Sequence, residues 1–147
     1  MPFQGQWADA LLAAERVHAL RLALWAALSI LAGSGLYTWV RLRRGDAPLV
    51  RHFALQCMAW GAVVFALALW LRQRLALRDL AHAILLDRSL WFFIGLEVGV
   101  VVVGLTLAVA GWRLGRRLAL VGAGLGLVVQ GLALGVLDLQ FAAAVIR

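Results

Sequence analysis

Residues 89–112 read SLWFFIGLEVGVVVVGLTLAVAGW, a run whose one ionisable side chain is Glu97. A hydrocarbon core about 30 Å thick is crossed by about 20 apolar helical residues, so this run spans a membrane as one helix. A membrane strand would alternate inward and outward residues over about ten positions, and no such alternation is present. A helix also satisfies its own backbone groups in lipid. Three further runs flank it: Leu20 to Val40, Phe53 to Leu71 and Leu118 to Ala144. The fold class is therefore all-α, an integral membrane bundle of four transmembrane helices in one domain over residues 1–147.

The whole composition agrees. The chain is 65% hydrophobic and 14% charged, with a mean hydropathy of +0.94, against roughly 45–50% and 25% in soluble domains. Its basic residues are all arginine. The formal charge of +7 would fit a nucleic-acid binder if the arginines lined one polar face, but they punctuate apolar runs instead, and no nucleic-acid partner is expected. Pro2 and Pro48, the only prolines, lie outside the runs, so the helices are expected to be unbroken, unlike transporters built on interrupted half-helices. Residues 1–7 carry no basic residue, and Asp9, Glu15, Arg16 and His18 interrupt the stretch 8–20. No secretory signal is expected, and the first span should stay in the mature protein. Segments 7–19 and 72–88 are two-sided and read either as interfacial helices or as extensions of the neighbouring spans.

Four spans put both termini and the connector 72–88 on one side and loops 41–52 and 113–117 on the other. Each side has seven arginines, but the short loops concentrate theirs: Arg41, Arg43, Arg44 and Arg51, then Arg113, Arg116 and Arg117. The other side spreads seven from Arg16 to Arg147. Positive charge in short loops marks the cytoplasmic side, which places the termini outside. Trp70 and Trp91 are expected to anchor the terminus side, and Trp39 and Trp112 the loop side.

Polar residues within the spans carry the functional information, because a carboxylate near a helix centre costs roughly 2.5–3.5 kcal/mol on insertion scales. Glu97 and Asp138 fall at the same depth, each roughly 9–12 Å below the terminus-side boundary. Arg21 opens the first span on that side and can reach down. An Arg21, Glu97, Asp138 cluster is expected, either as a latch fixing helix register or as a proton or cation site. Gln130, about 12 Å deeper than Asp138, should hydrogen-bond to another span. Gly95 and Gly99 flank Glu97, and Gly122, Gly126, Gly131 and Gly135 form two pairs four residues apart. Such spacing lets helix backbones approach closely, so spans three and four should form a tight hairpin or one of them should dimerise.

No cofactor or metal is expected. His18, His52 and His82 fall near helix ends or in connectors, Cys57 stands alone, and neither a nucleophile elbow nor a phosphate-binding glycine loop is present.

The stretch LLDRSLWFFIGLEVGVVVVGLTL, with Gly95, Leu96 and Glu97, resembles the third span of a family of small four-helix bacterial membrane proteins of unknown function. The stretch VGAGLGLVVQGLALGVLDL, with Gln130, Gly131, Leu134 and Asp138, is similar to the fourth span of that family. WAALSI from Trp25 and QCMAW from Gln56 are weaker echoes. The family is rich in asparagine in its first two spans, whereas this chain has none and carries Ser29 at one corresponding position. The resemblance implies the four-helix fold and singles out Glu97, Gln130 and Asp138, with no activity attached.

The residues together lead us to expect a non-enzymatic protein of a bacterial plasma membrane, in contact with lipid and with other membrane subunits or copies of itself. It would act as an accessory or structural subunit. A small proton or cation conductor using Glu97 and Asp138 is the alternative. The absence of lysine beside abundant arginine, alanine, leucine, glycine and valine fits a GC-rich bacterial coding sequence.

Overall fold

The computed structural model describes residues 3–43 and 46–145, with side chains from residue 6 onward; Pro2, Arg44 and Arg147 lie outside the described residues. It contains four helices: α1 (Phe3–Leu42), α2 (Pro48–Gln73), α3 (Leu80–Arg113) and α4 (Leu118–Val145). All four are long and apolar enough to cross a membrane, and each of the four apolar runs falls within one of them. Segment 7–19 is the N-terminal part of α1, which continues without interruption, and within 72–88 only residues 74–79 leave the helical path.

The reason α1 continues is visible in its buried stripe. Leu11, Glu15, His18, Leu22, Ala26, Ser29 and Gly33 recur every three or four residues and are all buried, the spacing of one helix face. The polar pair Glu15 and His18 belongs to that face and keeps the first turns docked. Arg78, in the connector between α2 and α3, grips the buried Glu15 carboxylate with Nε at 2.5 Å and Nη2 at 3.1 Å, a bidentate arrangement favoured by guanidinium geometry.

Helix α4 is central: it packs on α1, α2 and α3, α1 also packs on α2, and the backbone of α3 approaches α4 alone. A helix can take three neighbours at close range only if little bulk separates the axes, and α4 meets this with glycine on two faces. At Gly122 a Cβ would strike the carbonyl oxygen of Leu49 in α2, and at Gly126 it would lie 2.7 Å from Gln56 Cβ. At Gly124 and Gly131 it would meet α3, at the Gly104 carbonyl and at 3.0 Å from the Glu97 carbonyl oxygen.

The α3–α4 seam has a seven-residue period on both sides. Leu90, Glu97, Gly104 and Gly111 face α4, while Gly124, Gly131 and Asp138 face α3. This corrects one expectation: Gly95 and Gly99 are not packing residues within the chain, since nothing lies within 4 Å of a Cβ built on either. Each is two residues from Glu97, about 200° round the helix, and therefore points away from α4. Gly104, Gly111 and Gly124 fill the role expected of them. The hairpin turn at 114–117 holds Gly115 at φ +76 and Arg116 at φ 54, a left-handed conformation that glycine adopts freely.

Asp79 caps α3, accepting the His82 backbone N–H at 2.9 Å, with His82 Nδ1 at 2.6 Å. The backbone donor first, then the ring, holds the Asp79 carboxyl below its ordinary range. A group lowered on folding contributes stability above its unfolded pKa, about 3.9, and loses it as pH falls through the lower folded value. Protection of the His82 amide against exchange, relative to an unstructured amide at the same pH, is thus expected to fall on acidification below about pH 4, and Asp79→Ala to remove that dependence.

Candidate functional site

The α3–α4 seam carries two acids, with the Leu90, Phe141 and Ala142 cluster beyond them. A helical Cα–Cβ bond tilts toward the helix N-terminus, so Glu97 leans from α3 toward the turn of α4 that carries Asp138. Gly135 leaves room for it: a Cβ there would lie 3.4 Å from Glu97 Oε2. The Glu97 and Asp138 carboxyls thus come side by side. Glu97 Oε2 is buried and receives no hydrogen bond from any described residue. Two carboxyl groups so placed can bond to one another only with a proton between them.

The expected third member is replaced. Arg21 is exposed and donates from Nη1 to Gln140 Oε1 at 3.1 Å, while His18, one turn earlier, is buried with Nε2 3.3 Å from Asp138 Oδ1. The physical reason is desolvation: a guanidinium is always charged and keeps its head in a polar region, whereas an imidazole can be buried neutral. His18 also stacks on Phe141, with ring centroids 4.5 Å apart and planes 14° from parallel. Its Nδ1 is buried and unpartnered among the described residues. The cluster therefore joins α1, α3 and α4 through His18, Asp138 and Glu97.

Deeper in the bundle, Gln130 is 1% exposed. Its Nε2 donates to Ser29 Oγ at 3.1 Å, and its Oε1 accepts from Trp25 Nε1 at 2.9 Å. The expected bond to another span is thus made to α1. The packing glycines Gly122, Gly126 and Gly131 are buried in helix contacts, and Gly135 borders Glu97. The four tryptophans expected as anchors are all exposed: Trp39, Trp70 and Trp112 lie in the last turn of their helices, whereas Trp91 lies well inside α3. Three carry a guanidinium over the ring, Arg43 on Trp39 at 4.7 Å, Arg74 on Trp70 at 4.6 Å and Arg116 on Trp112 at 5.4 Å.

Sequence reasoning missed His18, Glu15 with Arg78, and the Trp25 and Ser29 partners of Gln130. A signal for the α1 members was present, since Glu15, His18 and Ser29 fall on the helical stripe shared by Leu11, Leu22 and Ala26. Arg78 gave none, because its partner lies 63 positions away.

No curated protein and no solved structure matches the chain. A family model matches residues 21–139, which take in Glu97, Gln130 and Asp138 and begin three positions after His18. The chain belongs to DUF6992, a family of unknown function.

Proposed function

We propose that this protein is a non-enzymatic subunit of a bacterial plasma-membrane assembly, either an accessory chain of a larger complex or a homo-oligomer, with the His18, Asp138 and Glu97 cluster as an internal latch. The observation that carries this reading is the one-sided packing of α3. Its backbone approaches only α4, and its far face presents Gly95 and Gly99 with open space above both. Two small residues four apart on the unpartnered face of a helix suit close approach by another transmembrane helix. The test is the mass, protein composition and visible spectrum of the intact particle extracted from its native membrane in mild detergent. Copies of this chain, or other subunits in fixed ratio, support the reading, and Gly95→Leu with Gly99→Leu should release them. A particle holding a single copy of this chain alone overturns it.

The concentration of arginine in the loops supports a cytoplasmic side for 41–52 and 113–117, with the termini outside. With Cys57→Ser as background, Asp46→Cys is then expected to resist a membrane-impermeant thiol reagent in whole cells, and Gln6→Cys to react.

A second reading, a small proton conductor, is favoured by the side-by-side acids with a buried imidazole beside them. Gln130 would continue the polar path inward. Asp138→Asn should then assemble normally and lose pH-driven flux in vesicles, whereas a latch variant should lose assembly or stability with no flux to lose.

A further inference from the structure

The terminus-side end of the bundle holds a second feature, independent of the acids. A groove of about 360 Å³ runs between α1 and α2, with Arg16 and Arg72 among its lining and an apolar wall that includes Ala19, Ala23, Ala68 and Leu75. Ala19 and Ala68 are buried, so the floor is smooth and made of methyl groups. The spacing is that of single helix faces: Arg16, Ala19 and Ala23 on α1, Ala68 and Arg72 on α2.

Three other guanidiniums at this end are engaged, while Arg88, on α3 and outside the lining of the groove, has no salt bridge or side-chain hydrogen bond among the described residues. Arg21 bonds to Gln140, Arg78 to Glu15, and Arg74 lies over Trp70. Arg16 and Arg72 have no salt bridge and no side-chain hydrogen bond among the described residues, and each keeps solvent access. The acids closest to them in sequence, Glu15 and Asp79, are occupied by Arg78 and His82. Two uncompensated positive charges thus border one apolar groove.

Their depth identifies the occupant. The apolar run of α1 begins at Leu20 and that of α2 ends at Leu71, so both guanidiniums stand within about one helical turn of the hydrocarbon boundary, at headgroup level. From Arg16 to Ala23 the groove descends about 10 Å, inside one leaflet of about 15 Å. A molecule with a negative head at the surface and a hydrocarbon chain below it matches both parts. Inorganic phosphate would leave the alanine floor bare, and a zwitterionic lipid would bring its own cation to the arginines.

We propose that the α1–α2 groove binds one anionic phospholipid, its phosphate between Arg16 and Arg72 and the first part of an acyl chain against Ala19, Ala23 and Ala68. Basic pockets at this level select anionic headgroups by charge.

The test is native mass spectrometry of the full chain released from micelles containing equal amounts of phosphatidylglycerol and phosphatidylcholine. Retention of one phosphatidylglycerol, preferred by about 30-fold, is expected from two basic residues at the membrane surface. Arg16→Gln or Arg72→Gln alone should reduce the preference to about 5-fold and the two together should abolish it, while Arg41→Gln with Arg43→Gln, at the opposite end, should leave it unchanged. Equal retention of the two lipids overturns the proposal, and so does a preference that survives in the Arg16 and Arg72 variant. Displacement of the lipid by millimolar sodium phosphate also overturns it, by showing an anion site without a role for the chain. If the double variant does not fold, the two single variants decide the matter.

Discussion

Gly124→Leu is expected to force α3 off α4 and to destabilise the bundle by about 3 kcal/mol, the upper part of the usual range for overpacking. The clash is with backbone, which cannot rotate away. A Cβ on Gly124 would strike the carbonyl oxygen of Gly104 and lie 2.6 Å from the Ala108 amide nitrogen. Relief therefore requires a rigid-body shift of one helix. The same shift would draw Glu97 away from Asp138, because both belong to the seam that runs through Gly104, Gly124 and Gly131. Gly95→Ala supplies the comparison: open space surrounds the new methyl, and alanine is favoured over glycine in a helix interior by about 0.5–1 kcal/mol. Unfolding by SDS in mixed micelles measures both. Equal behaviour of the two variants would refute the assignment of the seam.

The contrast between those glycines shows where sequence reading stops. Apolar run length gave the four spans, because a bilayer imposes one length on every helix that crosses it. The equal depth of Glu97 and Asp138 followed from residue counting. Which glycine faces a neighbour depends on helix rotation, and hydropathy carries no information on rotation when every face of a helix is apolar. On α3 the stripe Leu90, Glu97, Gly104, Gly111 becomes distinct only once α4 is beside it. Arg21 and His18 illustrate a second limit. Both fall within one turn at the right depth, and the choice between them rests on the cost of burying a fixed charge against that of burying a ring that can be neutral. The stack of His18 on Phe141 adds to that preference, and it joins residues 123 positions apart, beyond any local pattern.

Gln130→Leu is expected to cost about 2 kcal/mol, although leucine is apolar and close to glutamine in size. Burial of the side chain is nearly complete, at 1% exposed, so the change leaves little cavity, and the cost resides in the partners it abandons. Ser29 loses only a donor to its oxygen, and its own O–H stays free to bond the carbonyl four residues back in α1, so its share of the cost is small. The Trp25 indole N–H has no such recourse, because its donor points from α1 toward α4, and an unpaired buried donor costs about 1–3 kcal/mol. Hydrogen bonds between membrane helices average only about 0.6 kcal/mol when both partners are free to find others. The larger figure here therefore depends on Trp25 being held in place by its packing against the Leu22, Ala26 and Val64 cluster. Trp25→Phe removes the donor itself and should rescue part of the Gln130→Leu defect. In a double-mutant cycle the two changes together should be less damaging than their sum by about 1 kcal/mol, measured in the same micellar unfolding assay. Strict additivity would show that the indole finds another acceptor, and Gln130 would then be a space-filling residue rather than the link between α4 and α1.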